Sequence, residues 1–137
     1  MKKLNVVMIY DKKEEKILMC KRSKEPYKGK YNLVGGKLEE GENEFDAAYR
    51  ELQEETGITK QDVVLNHLMN FQYQMSNMEL EVFVGKLNKE VELKEEVNEL
   101  LWINKNENFF DIEKFAGEGN IGHMVEQVEY YKDELLK

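Results

Sequence analysis

The sequence of 137 residues contains one cysteine, one proline and only two arginines. Because Cys20 is the only cysteine, an internal disulfide is excluded, which fits a reducing compartment. A lone cysteine of this kind commonly occupies a small buried position. No apolar run approaches the roughly 20 residues of a membrane-spanning helix. The apolar run after Met1 is also too short for a secretion signal. We therefore expect a cytoplasmic protein with no membrane partner.

Positive charge is scarce as well, since 20 lysines and arginines face 28 aspartates and glutamates, for a net charge of −8. This balance argues against a nucleic-acid polymer as partner, because a phosphate backbone attracts basic surfaces. An acidic protein can still bind a polyphosphate when divalent cations supply the positive charge. The length and the 41% hydrophobic content predict a single domain over residues 1–137, as a monomer or a homodimer.

Apolar patterning predicts a mixture of strands and helices, which is typical of an α+β fold. This mixture predicts a mixed β-sheet covered by helices. The expected strands cover 4–10, 16–22, 31–34, 63–75, 78–87 and 100–103. Helices are expected over 45–56 and 123–137, a helix or a turn over 104–116, and a loop over 117–122.

The stretch from Gly35 to Ile58 stands out because it joins a glycine turn to the helix expected over 45–56. Gly57 is placed to end that helix. Three glutamates within it are spaced at i, i+3 and i+4, so their side chains share one face, offset from an apolar stripe. The glutamates are Glu51, Glu54 and Glu55, and the stripe comprises Phe45, Ala48, Tyr49 and Leu52.

Three carboxylates within one helical turn repel each other, which brings no benefit to a helix with only a structural role. Mg²⁺ or Mn²⁺ removes that repulsion, since these hard cations bind oxygen ligands and leave positions for water and phosphate oxygens. The chain contains 23 glutamates, so a solvated acidic surface is the alternative interpretation. The rare Arg50 and the earlier Glu42 suit a bidentate ion pair that ties the loop to the helix.

Read from Gly36, the pattern is G-x5-E-x7-R-E-L-x-E-E-x-G-I. It resembles the Nudix box, the signature of the Nudix hydrolases, at every defining position. The resemblance implies the Nudix fold, a mixed sheet sandwiched between helices (α/β/α). It also implies metal-assisted hydrolysis of a phosphoanhydride, with Mg²⁺ or Mn²⁺ as cofactor. Val34 stands where many members have proline, which affects the rigidity of the turn rather than any ligand.

The resemblance implies a role for each matching residue of the box. Three carboxylates and one main-chain carbonyl bind the metal, and an ion pair holds the loop on the helix. Many members place a further acidic residue before a tryptophan-containing strand, and the residue that deprotonates the attacking water differs among members. By position, these are Glu51, Glu54 and Glu55 for the carboxylates, Gly35 for the carbonyl, Glu42 and Arg50 for the ion pair, and Glu96 for the further acid, with Glu95 or Glu99 as alternatives.

A small-molecule nucleotide is the implied substrate, and its phosphates and its base need separate contacts. Basic residues near the box match phosphate contacts, with an ordinary surface role as the alternative. A base needs an aromatic platform and a few polar atoms, although aromatic residues in strands more often pack in the core. The phosphate candidates are Arg22 and Lys37, the platform candidates are Phe71, Tyr73 and Phe83, and Asn120 either contacts a base edge or caps the last helix.

A small chain without an extension is similar to the MutT-type members. These cleave (deoxy)nucleoside triphosphates, including oxidised ones such as 8-oxo-dGTP, to monophosphate and pyrophosphate. The same chemistry on ADP-ribose, a nucleotide sugar or a dinucleoside polyphosphate is the first alternative. A non-catalytic nucleotide-sensing module is the second, and the intact glutamate set argues against it.

Overall fold

The computed structural model describes residues 1–137 and contains seven β-strands and two α-helices. Neither helix is long and apolar enough to cross a lipid bilayer. A short 3₁₀ turn, Gln74–Ser76, joins the fifth and sixth strands. In chain order the elements are β1 (Lys2–Tyr10), β2 (Lys16–Lys21), β3 (Tyr31–Asn32), β4 (Val34–Lys37), α1 (Glu44–Thr56), β5 (Asn66–Tyr73), β6 (Met78–Lys86), β7 (Glu99–Asn104) and α2 (Asn120–Leu135).

Strand β1 lies at the centre of a mixed seven-stranded sheet. It runs parallel to β6, with Lys2 opposite Met78 and Tyr10 opposite Lys86. It is antiparallel to both β2 and β4. Strand β5 extends the sheet beyond β6, whereas β3 and β7 both pair with β2. The mixed sheet predicted from the sequence is therefore confirmed, and β1 connects its two halves.

The two faces of the sheet carry separate halves of the core, because successive strand side chains point to opposite faces. One half packs against α1 and the other against α2, which confirms the expected sandwich. We call these faces the α1 side and the α2 side. Buried residues of the α1 side include Val7, Ile9, Leu18, Ala48 and Leu52. Those of the α2 side include Met8, Tyr10, Met19, Met124 and Val128.

Helix α1 begins and ends where local chemistry favours it. The side chain of Asn43 accepts hydrogen bonds from the N–H groups of Phe45 and Asp46, which caps the N-terminus. Gly57 adopts a left-handed conformation (φ +82°) directly after the helix, as a C-terminal glycine commonly does. Phe45 of the expected apolar stripe remains 40% exposed, although its ring packs edge-on against Phe83 at 4.9 Å.

The region 104–116 forms turns and contains no α-helix. Its side chains explain this choice, because Asn104, Asn108 and Asp111 each accept a hydrogen bond from the N–H two residues later. Asx turns of this kind compete with helical hydrogen bonding. Helix α2 then begins at Asn120, inside the segment 117–122 that was expected to be a loop.

Other boundaries also differ from the sequence prediction. The expected strand 31–34 is interrupted at Leu33 and forms parts of two strands, β3 and β4. The expected strand 63–75 is reduced to β5, which contains a β-bulge between His67 and Met69. On α2, Tyr131 departs from helical dihedral angles (φ −115°, ψ 19°) and is 53% exposed, so it lies outside the packed face.

Strand β4 lies so close to β1 that Gly35 leaves no room for a side chain. A Cβ atom at this position would lie 2.1 Å from the main-chain oxygen of Asn5. Gly41, which also has a positive φ of +79°, has nothing within 4 Å of the equivalent position. The two glycines therefore separate the effect of a steric clash from that of a left-handed backbone.

We expect Gly35→Ala to lower the free energy of unfolding by at least about 2 kcal/mol, because β1 or β4 must shift. Gly41→Ala should cost only about 1 kcal/mol, the usual penalty of a left-handed backbone for alanine. Urea unfolding of both variants and the parent measures the difference. Equal losses in the two variants would contradict the close packing of β4 on β1.

Candidate active site

The acidic side of α1 faces the glycine turn of β4. The Glu51 carboxyl fills the space beside Gly36, where a Cβ atom would lie 2.4 Å from its carbon. One helical turn later, Glu55 Oε2 accepts a hydrogen bond of 3.4 Å from the Gly35 N–H. Two of the three predicted metal ligands therefore contact the turn that supplies the predicted carbonyl ligand.

Arg50 connects the loop before α1 to the helix, as the sequence predicted. Its Nε donates to Glu42 Oε2 at 2.7 Å and its Nη2 donates to Glu42 Oε1 at 3.0 Å, so the pair is bidentate. Nη2 also donates to the Lys37 main-chain oxygen at 3.1 Å. The hydrogen bonds from Arg50 hold the pKa of the Glu42 carboxyl at about 2, with help from the Glu39 N–H.

Arg50 also contacts two of the predicted metal ligands, which was not predicted from the sequence. Nη1 donates to Glu51 Oε1 at 2.9 Å and to Glu54 Oε2 at 3.2 Å. Glu51 is 14% exposed and Glu54 is 59% exposed, so the second contact is far more open to solvent. One guanidinium therefore lies against both the scaffold carboxylate and the acidic side of the helix.

The environment of the glutamates opposes their negative charge. Burial raises the pKa of Glu55 to about 7, the Gly35 N–H opposes that rise, and the charge of Glu51 adds to it. Burial also raises the pKa of Glu51, against the hydrogen bond from Arg50. Partly buried carboxyls that repel each other are a common feature of functional sites. A bound cation reduces this repulsion.

The oxygen donors around the turn fit a hard divalent cation in kind and in charge. Carboxylates outnumber the neighbouring cationic groups, and no imidazole or thiolate is among the donors, which favours Mg²⁺ or Mn²⁺ over softer metals. Glu51 and Glu54 are turned to Arg50, while Glu55 is turned to Gly35. In this arrangement no three acidic, histidine or cysteine side chains converge on one point.

The three acidic candidates before β7 occupy different surroundings. Glu96 lines a cleft together with Arg50 and Glu54, on the solvent side of α1. Glu95 accepts a hydrogen bond of 2.7 Å from the Leu100 N–H and so holds the start of β7. Glu99 is the first residue of β7, opposite Lys21 on β2. Of the three, Glu96 is therefore the residue that shares a cleft with a box glutamate.

The two basic candidates lie in different surroundings. Arg22 follows β2, and its Nε donates to the Pro26 main-chain oxygen at 2.8 Å. Burial raises the pKa of Glu55 and the positive charge of Arg22 opposes this, so the two groups are close enough to interact. Lys37 ends β4 and lines a different cleft, with Lys2 and Lys3 of β1.

The candidates for base recognition separate into two groups. Phe71 and Tyr73 stack on β5 with ring centroids 6.4 Å apart, and Phe71 packs against the α2-side core. The Asn120 amide donates to the Tyr73 hydroxyl at 2.7 Å. The N-terminus of α2 has no side-chain cap, so the capping role considered for Asn120 is wrong. Phe83 is fully buried on the α1 side and is a core residue rather than a platform.

Two further residues, Tyr27 and Glu118, form a contact that was not identified from the sequence. The Tyr27 hydroxyl donates to Glu118 Oε1 at 2.6 Å, across 91 positions of sequence. Both residues have positive φ angles, 67° and 53°, which residues other than glycine seldom adopt. Burial and then the hydrogen bond to Glu118 raise the pKa of Tyr27 to about 12. Only the position of Tyr27 after the lone proline hinted at an unusual loop.

Comparison with known proteins identifies a family model and a relative with a similar sequence. A family model described as the NUDIX domain matches residues 1–126. An ADP-ribose pyrophosphatase of Methanocaldococcus jannaschii is 48% identical over 46 residues, which are 34% of this chain and 27% of that protein. The match to this relative therefore spans about a quarter of its length.

Solved structures resemble the whole fold at low sequence identity. A Caenorhabditis elegans Ap4A hydrolase in a binary complex has a TM-score of 0.78 at 20% identity, covering 97% of this chain and 98% of that chain. A MutT structure from work on Aliivibrio salmonicida and Vibrio cholerae has a TM-score of 0.73 at 18% identity, covering 94% and 98%. Since the family model spans nearly the entire sequence, from Met1 into the first half of α2, this chain belongs to the NUDIX family.

Proposed function

We propose that this chain is a pyrophosphohydrolase that cleaves (deoxy)nucleoside triphosphates, including oxidised ones, to monophosphate and pyrophosphate with Mg²⁺ or Mn²⁺. Membership of the NUDIX family indicates a hydrolase that acts on pyrophosphate bonds. The observation that carries the proposal is the contact of Glu51 and Glu55 with the Gly35–Gly36 turn, beside the Arg50–Glu42 ion pair. We also propose that residues 1–137 form one domain.

Glu51, Glu54 and Glu55 would hold the cation, with the Gly35 carbonyl and, from the neighbouring loop, Glu96. When bound, the cation supplies positive charge that neutralises the phosphate oxygens and lowers the pKa of a water molecule. The pair of Arg50 with Glu42 keeps the loop on the helix, so the carboxylates stay in place during turnover. A carboxylate of the site accepts the proton of the attacking water, whose oxygen then attacks phosphorus and expels the other phosphate fragment.

The substrate contacts are proposed in two parts, one for the phosphates and one for the base. Arg22 and Lys37 would bind phosphate oxygens. Phe71 and Tyr73 offer a stacked aromatic surface next to a carboxamide, that of Asn120. An asparagine side chain has both a donor and an acceptor, which suits the hydrogen-bonding edge of a nucleobase. This combination supports a nucleotide as substrate.

Three alternatives for the function can be distinguished by experiment. The MutT-like fold supports a nucleoside triphosphate. The Ap4A hydrolase and the ADP-ribose pyrophosphatase support a dinucleoside polyphosphate or ADP-ribose instead, and nucleotide sugars offer the same bond. A module that senses nucleotides without cleaving them would have no need for every metal ligand of the box.

Incubation of the purified protein with Mg²⁺ and a panel of these compounds tests the proposal. Nucleoside triphosphates are expected to give monophosphate and pyrophosphate, without orthophosphate, as resolved by ion-exchange chromatography. Faster cleavage of ADP-ribose, a nucleotide sugar or Ap4A would replace the substrate but keep the chemistry. Nucleotide binding without cleavage of any compound would support a sensing module and contradict the proposal.

Removal of one metal-binding charge should abolish most of the activity. We expect Glu54→Gln and Glu55→Gln each to lower kcat/KM by at least about 100-fold, because each removes negative charge from the cation site. Glu126→Gln, the same change on the exposed surface of α2, is the matched control and should keep full activity. Near-normal turnover of both site variants, with an unchanged Mg²⁺ requirement, would refute the assignment.

The geometry of Arg50 should matter as much as its charge. Lysine cannot reproduce two parallel hydrogen bonds to Glu42, so Arg50→Lys is expected to lower the melting temperature or the turnover. A double-mutant cycle with Glu42→Gln measures the coupling, which should reach about 1 kcal/mol or more for a pair in contact. Strictly additive effects on melting and turnover would show that the two residues act independently.

A further inference from the structure

Asn5 is a polar residue on an otherwise apolar surface. It lies on the same side of β1 as Val7 and Ile9, both of which are fully buried in the α1-side core. Asn5 is itself only 2% exposed. Because alternate residues of a strand share a face, an apolar side chain would be expected at this position. A buried carboxamide therefore requires a structural or functional reason.

The oxygen of Asn5 explains part of this placement. Asn5 Oδ1 accepts a hydrogen bond of 3.1 Å from the Gly36 N–H, and the two residues are opposite each other in the pairing of β1 with β4. The Asn5 Nδ2 group is buried and has no hydrogen-bond partner. An unpaired buried amide group costs about 1–3 kcal/mol. Asn5 therefore lowers stability through its unpaired amide group, while its oxygen contributes the hydrogen bond to the turn.

The turn that Asn5 holds has little freedom to move. A Cβ atom on Gly35 would lie 2.1 Å from the Asn5 main-chain oxygen, so the turn packs directly on β1. On its other side, a Cβ atom on Gly36 would lie within 2.6 Å of both Glu51 carboxyl oxygens. The Gly35 N–H donates to Glu55 at 3.4 Å. A shift of the turn away from β1 would therefore displace both carboxylates.

We propose that Asn5 is a positioning residue: its carboxamide oxygen fixes the Gly35–Gly36 turn and so sets the placement of Glu51 and Glu55 for the cation. The proposal rests on the proposed function as far as the cation is concerned, whereas the contact with Gly36 is independent of it. The Asn5 side chain forms no hydrogen bond with the three glutamates and contacts the turn instead. Its effect is transmitted through one hydrogen bond, which the Gly36 main-chain N–H donates to the Asn5 side chain.

Asn5→Leu tests the proposal, because leucine has a similar size, removes the unpaired amide group and cannot accept the Gly36 hydrogen bond. Two quantities are compared with the parent: the hydrogen-exchange rate of the Gly36 amide by NMR, and the dissociation constant of Mn²⁺ by electron paramagnetic resonance. We expect at least tenfold faster exchange and at least fivefold weaker Mn²⁺ binding, with little change in the melting temperature.

Two further variants separate positioning from general stability. Asn5→Asp keeps an acceptor oxygen and should keep Gly36 protected; only its exchange rate is compared, because the added charge attracts Mn²⁺ by itself. Ile9→Ala, on the same side of β1 but opposite Gly85, should lower the melting temperature and leave Mn²⁺ affinity within twofold of the parent.

Each outcome decides a separate point. Unchanged Gly36 exchange in Asn5→Leu, equal loss of protection in the leucine and aspartate variants, or faster exchange with unchanged Mn²⁺ affinity would each overturn the role of Asn5. If the parent bound no Mn²⁺, the proposed function would fail, and the Gly36 exchange rates would still show whether Asn5 holds the turn.

Discussion

The guanidinium of Arg50 lies within 4.0 Å of four carboxylates, those of Glu39, Glu42, Glu51 and Glu54. These contacts are unequal. The bidentate pair with the little-exposed Glu42 has the geometry of a strong interaction, whereas the exposed contacts with Glu39 and Glu54 contribute little. Arg50 thus joins the loop firmly to α1 and offers Glu51 and Glu54 only partial neutralisation. The excess of negative charge beside the turn is the constraint on which the proposed cation site depends.

Under the proposed function, the groups for catalysis and the groups for base recognition lie on different sides of the sandwich. The α1 side contains the glutamates and the glycine turn, which would bind the cation and, through it, the phosphates. On the α2 side, the stacked rings of Phe71 and Tyr73 and the amide of Asn120 present a surface suited to a base. Strand β1 lies between them because it pairs with both β4 and β6. The side chain of Asn5 on this strand adds a hydrogen bond to the turn beyond the main-chain pairing of β1 with β4.

Local patterns in the sequence predicted the elements that depend on local chemistry. The spacing of Glu51, Glu54 and Glu55 placed them on one face of a helix, and Gly57 ended that helix as expected. The fold class followed from the order of strands and helices together with the Nudix resemblance. The sequence left a helix or a turn open for 104–116, and Asx hydrogen bonds decide in favour of turns. Contacts between distant segments, such as Tyr27 with Glu118, depend on the tertiary fold and leave no periodic signal.

The proposed function depends on the binding of a divalent cation by Glu51, Glu54 and Glu55 near the Gly35–Gly36 turn. Anomalous diffraction from a crystal soaked in Mn²⁺ tests this most directly, because the ion is located without reference to any substrate. We expect an anomalous peak within about 2.5 Å of carboxylate oxygens from at least two of these glutamates. If none of these glutamates coordinated any bound Mn²⁺ in a protein that still hydrolyses its substrate, the proposed cation site would be wrong.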